Sequence, residues 1–268
     1  AKGVRADART RFSASRFKVM EALRDYLEFG GFPEVALEGD GEIRIRMLRQ
    51  YLETMVARDL AERFGLRNVP FLRELMRHLA TSAGKYFSAS SFYRSSKETF
   101  RITKRTVLDY VDHLQDVAFV YLVKRFSLSL KEQAVSPRKV YCADNGFRKA
   151  YGFYTMDEMG RALENAAFVE LRRRQTFDPL LEIYYWRHDD SEVDFVLKVG
   201  NGIEQLIQVC WDMSDAETRK RELGALAKAS RELVCNHMLV ISWDSKSIEV
   251  VGGKRVEVVP MYEWMLEG

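Results

Sequence analysis

Three residues in the second half of the sequence have the types and spacing for phosphodiester chemistry: Glu164, Asp194 and Gln208. Glu164 lies in GRALENAAFVELRRR, Asp194 in IYYWRHDDSEVDFVLK and Gln208 in QLIQVCWD, so each polar group stands among apolar neighbours. Two carboxylates and an amide oxygen are donors that a hard divalent cation accepts, Mg²⁺ or Mn²⁺ above all. Such an ion activates water and stabilises the charge of a phosphate transition state. Glu164, Asp194 and Gln208 are therefore the expected catalytic and metal-binding residues. The residue two past Gln208, where this chemistry calls for a lysine, is Cys210. Each residue also has a plainer use. Glu164 can pair with Arg161 or Arg172 on a helix surface, Asp194 can bond a neighbour on a sheet face, and Gln208 and Cys210 can fill a core.

The elements around them follow from periodicity. Thr155-x-x-Glu158 has the form of a capping box and predicts a helix carrying Glu164, with Ala167 and Phe168 packing it down. Ile183–Arg187, Val193–Val199 and Leu206–Trp211 read as strands, separated by polar and glycine-rich turns. Strict alternation in the second strand points Val193, Phe195 and Leu197 one way, and Glu192, Asp194 and Val196 the other. Ser214-x-x-Glu217 predicts the cap of a helix through about Leu233, and MLVIS at 238–242 is an apolar strand. A hairpin over 250–259 and a terminal helix over 262–266 follow. The core order is α-β-β-β-α-β.

The first half reads as mainly helical. Residues 1–15 are polar and basic and read as a linker-like lead, followed by helices over 17–29 and 43–63. Between about 70 and 138 three helices precede a two-stranded ribbon, the order of a winged helix-turn-helix. The third helix opens Thr103-Lys104-Arg105-Thr106, polar and basic at the end that would meet a DNA groove. The ribbon adds Lys124, Arg125, Lys131, Arg138 and Lys139. Lys104, Arg105, Lys124 and Arg125 are the expected nucleic-acid contacts, set against the plainer reading of a solvated basic face. Asp144 suits an Asx turn and Gly146 a positive φ.

Composition bounds these readings. The 268 residues are 47% hydrophobic and 30% charged, enough apolar material for a core, and the net charge is only +3. A nucleic-acid role therefore needs a local patch. Three cysteines without CxxC spacing favour reduced thiols and a cytoplasmic location, and no His pair has zinc spacing. No apolar run is long enough to cross a membrane, and the first residues lack a secretory core. There is no GxxxxGK[ST], so no P-loop nucleotide site.

The α-β-β-β-α-β order with Glu164, Asp194 and Gln208-Val209-Cys210 resembles the PD-(D/E)XK nuclease superfamily. The resemblance implies that Glu164 and Asp194 match metal ligands and that Gln208 matches a tolerated third ligand. Cys210 departs from the lysine that orients the attacking water and stabilises charge, and a thiol cannot replace an ammonium. Lys220, Arg219 or Arg221 on the next helix would be a migrated substitute. The segments YLEFGGFPEVAL, YLETMVARDLAERFG, KVYCADNGFRKA, GRALENAAFVELRRR and LIQVCWDMSDAETRKREL also resemble, in order, the C-terminal half of a prokaryotic AAA-type ATPase family. That likeness implies an α+β chain with a helical region at 1–138, its winged helix at about 70–138, and a restriction-endonuclease-like domain at 139–268. It implies a DNA-associated module of an AAA-type ATPase, with the nuclease activity either lost or Mg²⁺-dependent. The alternative is a non-catalytic protein-interaction scaffold. DNA, the ATPase domain and a second copy of the chain are the expected partners, with no membrane.

Overall fold

The computed structural model describes residues 2–151 and 158–266, with side chains from Arg16 onward. The chain is α+β, and its elements gather into two lobes.

The first lobe opens with α1 (Lys2–Phe29) and α2 (Pro33–Leu37). Residues 2–15, expected to be a lead, are the first turns of α1. Their alanines, arginines and lysine favour helix. Helix α3 (Gly41–Thr54) is capped by Asp40 and continues as a π-helical segment over Met55–Glu62. Helix α4 (Val69–Thr81) follows, then the two-residue strand β1 (Tyr86–Phe87) and α5 (Ala89–Phe100). Next is α6 (Lys104–Asp116), where Thr103 and Thr106 form a reciprocal capping box. Strand β2 (Val120–Val123), α7 (Leu130–Val135), β3 (Arg138–Cys142) and α8 (Asn145–Tyr151) complete the lobe. The sheet order is β1-β3-β2, all antiparallel. Its core holds Leu52, Leu75, Leu79, Val107, Leu114, Phe119 and Val140. Strand β3, at the expected 138/139 boundary, is the central strand of this sheet.

The second lobe runs α9 (Met159–Gln175), β4 (Leu181–His188), β5 (Ser191–Val199), β6 (Gly202–Cys210), α10 (Ala216–Glu232), β7 (Met238–Ser242), β8 (Ser247–Val251), β9 (Lys254–Pro260) and α11 (Met261–Leu266). The six strands are ordered β4-β5-β6-β7-β9-β8. Strands β4, β5 and β6 form an antiparallel meander, while β6, β7 and β9 are mutually parallel. One face packs on α9, α11 and α1 through Phe168, Phe195, Ile207, Leu239 and Leu27. The other packs on α10 through Val196, Leu206, Leu226 and Val240.

Several local expectations change. The cap of α10 is Asp215, whose carboxylate accepts from Thr218 N–H at 2.8 Å, while Ser214 bonds Asp212 instead. The expected box at Thr155 falls outside the described residues. Gly146 is helical, not at positive φ. It needs to be glycine because a Cβ there would stand 2.5 Å from the Phe29 carbonyl oxygen and 2.6 Å from Leu48.

The lobes are joined along β3 and β2. Asn165 of α9 accepts from Cys142 N–H at 2.8 Å and donates to the Cys142 carbonyl at 3.1 Å, taking the place of a neighbouring strand. Tyr141 stacks on Phe168 with ring centroids 4.4 Å apart. Past β2, the Lys124 carbonyl accepts from Tyr185 N–H and Phe126 N–H donates to the Tyr185 carbonyl, stitching the first lobe to the edge strand β4.

Candidate functional site: a buried carboxylate cluster at the lobe junction

Alternation along β5 breaks where it matters. Tyr184 pairs with Val196, but Trp186 pairs with Val193, so β5 carries an extra residue between them. This is a β-bulge, which re-aims side chains locally. Val193 and Val196 therefore pack on the α10 side, and Phe195 on the α9 side. The Asp194 carboxylate, predicted to share a face with Val196, instead reaches the α9 side with Phe195. The regular β5–β6 pairing stops at Phe195 and Ile207. Beyond it, side chains replace the ladder: Asp194 Oδ2 accepts from Val209 N–H at 2.9 Å, and Gln208 Oε1 accepts from Asp194 N–H at 3.2 Å.

Glu164 and Asp194 meet through Lys139, expected to be a ribbon residue with its charge at the surface. Lys139 of β3 is 2% exposed. Its ammonium lies 3.0 Å from Glu164 Oε1 and 2.8 Å from Asp194 Oδ1, and it also pairs with Glu192. Tyr141, two residues on and on the same strand face, donates to Glu164 Oε1 at 2.6 Å. Tyr86 of β1 donates to the other oxygen of Glu192. Gly84, at φ +75°, passes so close that a Cβ there would stand 3.2 Å from Glu164 Oε2. Glu164 is thus paired across the lobes, and not with Arg161 or Arg172.

The electrostatics follow from counting charges. Three carboxylates surround one ammonium. Burial and the neighbouring Asp194 push the Glu164 carboxyl up to about 7, against the pull of Lys139 and Tyr141. Burial opposes the Lys139 charge, but Asp194 and Glu164 outweigh it and hold that ammonium well above the ordinary lysine range. Both shifts have one source, a buried cluster with more acids than bases. Burial, with Glu164 and Glu192 as neighbours, raises the phenols of Tyr141 and Tyr86.

Gln208 and Cys210 face the other way. Gln208 Nε2 donates to Glu222 of α10 at 2.6 Å, and the Cys210 thiol donates to the Asp212 carbonyl at 3.3 Å. Burial and Glu222 push the Cys210 thiol up to about 11, so it is neutral at physiological pH. Gln208 touches Asp194 only through the backbone and does not join the carboxylates. Arg221 pairs with Glu222 on that face, not with the cluster.

A divalent metal does not fit this arrangement, because the space between the Glu164 and Asp194 oxygens is filled by Lys139. Among the described residues no group of three His, Cys, Asp or Glu side chains is placed to hold a metal ion. The signal for Lys139 was present in the sequence: Lys139 and Tyr141 alternate with Val140 and Cys142, a pattern that puts both polar groups on one face of a buried strand.

The predicted nucleic-acid residues divide. Lys104 and Arg105 are exposed on the first turn of α6, and Arg105 pairs with Asp109 at 2.8 Å. They edge a groove of about 410 Å³ that also touches Ser88, Leu108, Val135 and Arg138. Lys124 lines a different cleft of about 400 Å³ with Arg172 and Glu182. Arg125 is half-buried where its backbone bridges to Tyr185.

An uncharacterized protein of Methanocaldococcus jannaschii is 29% identical over 93% of this chain and 56% of its own length. An uncharacterized protein of Haemophilus influenzae is 23% identical over 91% of this chain and 57% of its own. The chain thus spans little more than half the length of these relatives. No solved structure matches it. Residues 159–264, the second lobe, match a family described as Domain of unknown function (DUF4143). Residues 20–155, just over half of the chain, match the family described as Domain of unknown function (DUF8612), and the chain belongs to that family.

Proposed function

We propose that the chain is a DNA-associated, nuclease-like module of an AAA-type ATPase, and that its nuclease site is catalytically degenerate. The observation that carries the reading is the Lys139 ammonium seated between Glu164 and Asp194. The α-β-β-β-α-β order, with β5 and β6 parting at Asp194, supports a PD-(D/E)XK-like fold. Here an ammonium sits among the carboxylates, and Glu164 and Asp194 are nearly closed to solvent. The helix-strand-helix-helix-strand-strand order and the β1-β3-β2 sheet support a winged helix, with α6 as the helix that would enter a major groove. The DUF4143 domain is often found in AAA-ATPase-associated proteins, and the greater length of the relatives leaves room for such a module.

The test pairs binding with cleavage. Duplex DNA should bind at low salt with an affinity that falls steeply as salt rises, and Lys104→Ala with Arg105→Ala should lower the salt slope by about 1–2. No cleavage should appear with Mg²⁺ or Mn²⁺. Cleavage that Asp194→Ala abolishes would overturn the degenerate reading, and no binding at low salt would overturn the DNA role.

A second reading, a protein-interaction scaffold, is favoured by the segment joining β2 to β3. Leu128, Leu130 and Val135 there are 94%, 80% and 75% exposed, and Val135 lines the same groove. Large exposed apolar side chains in one place mark protein contact more than DNA contact. That reading predicts no DNA binding, and an association with the ATPase module that Leu130→Ser weakens.

A further inference from the structure

The carboxylate cluster is assembled by one lobe and its cation by the other. Glu164 comes from α9, and Glu192 and Asp194 come from β5, all in the second lobe. Lys139 comes from the central strand of the first lobe's sheet. The acids are held independently of it: Asp194 by Val209 N–H, Glu164 by Tyr141 and Glu192 by Tyr86. Asp194 Oδ1, Glu192 Oε1 and Glu164 Oε1, the last shared with Tyr141, converge on the Lys139 nitrogen.

Carboxylate oxygens from three side chains are the ligand set of a hard divalent cation as much as of an ammonium. The two compete for the same oxygens, so the occupant is decided by what the chain supplies. With Lys139 present, the cluster carries two excess negative charges when every acid is ionised. Without it the count is three, in a space nearly closed to water, where uncompensated charge is costly. A neutral side chain at 139 would therefore leave a strong demand for an external cation.

We infer that Lys139 is the resident cation of a carboxylate cluster that would otherwise draw a divalent ion: it holds the position among Glu164, Glu192 and Asp194 that such an ion would take, makes the cluster metal-independent, and fastens β3 to the second lobe. This rests on the degenerate reading of the site for its location. It goes further by naming the group that displaced the metal and the change that readmits it.

The experiment is a Mn²⁺ titration at constant ionic strength, followed by the electron paramagnetic resonance signal of free Mn²⁺. Wild type, Lys139→Met and the double variant Lys139→Met, Asp194→Asn are compared, with thermal melts in EDTA and in Mn²⁺. Wild type should hold no tightly bound Mn²⁺ and melt at the same temperature in both. Lys139→Met should bind one Mn²⁺ more than about tenfold tighter than wild type and melt higher in its presence. The double variant should lose both effects. A Lys139→Met chain that folds only with Mn²⁺ supports the inference equally. Wild type binding one Mn²⁺ as tightly as Lys139→Met would overturn it, as would a Lys139→Met chain indifferent to Mn²⁺, folded or unfolded. DNA binding and the absence of cleavage are read on wild type, so they stand or fall separately.

Discussion

Two regions of this chain use positive charge in opposite ways. On the first turn of α6, Lys104 and Arg105 are exposed, and Arg105 pairs with Asp109 one helical turn on, at the surface. At the lobe junction, Lys139 is buried and satisfied by three acids. Exposed charge is cheap to keep and contributes little to stability, which leaves it free for a partner. Buried charge is held only while every partner stays in place, and it is correspondingly costly to disturb. The difference separates residues that can meet DNA from residues that hold the fold, although both sets read as basic in the sequence.

The sharpest way to break the comparison is to remove one charge from each region. Lys139→Met should cost about 3–5 kcal/mol of unfolding free energy, because it strands buried acids without their cation. Denaturant titration in EDTA measures this. A loss comparable to that of an exposed lysine would erase the distinction.

A smaller effect is expected from the proton that the cluster retains. The Glu164 carboxyl is raised from 4.5 to about 7, so between those values the folded chain binds more protons than the unfolded chain. Stability should therefore fall as pH rises through that window, by about 1–3 kcal/mol. Glu164→Gln should flatten this part of the profile. A wild-type profile that rises with pH there would show that the cluster does not keep the proton.

The smallest effect belongs to α6. Lys104→Ala with Arg105→Ala should change stability by less than about 0.5 kcal/mol while weakening DNA binding. A large loss of stability would mean that these residues are structural as well.

Much of the cluster was legible before the fold was known. A capped helix with Glu164 among alanines, followed by three strands, was enough to predict that Glu164 and Asp194 would lie near one another. The face of Asp194 was not legible, because a single extra residue in β5 cancels the alternation that period-two reasoning assumes. For Lys139, the alternation with Val140 and Cys142 shows a face shared with Tyr141 but not which way that face points. The strand that carries it reads as half of a ribbon, and ribbons usually show their charges to solvent; only the packing of β3 against α9 turns this one inward. On the first lobe, Thr103 announced α6, while β1, two residues long, and α7, lying in the ribbon loop, had too few residues to give a periodic signal.

An internal ammonium, not a metal, holds the acids at the lobe junction together. A crystal structure from crystals soaked in Mn²⁺, with anomalous scattering recorded at the manganese edge, tests it most directly. No anomalous peak is expected among Glu164, Glu192 and Asp194, with the Lys139 nitrogen within hydrogen-bonding distance of all three. A manganese peak between Glu164 and Asp194, with Lys139 swung aside, would contradict it.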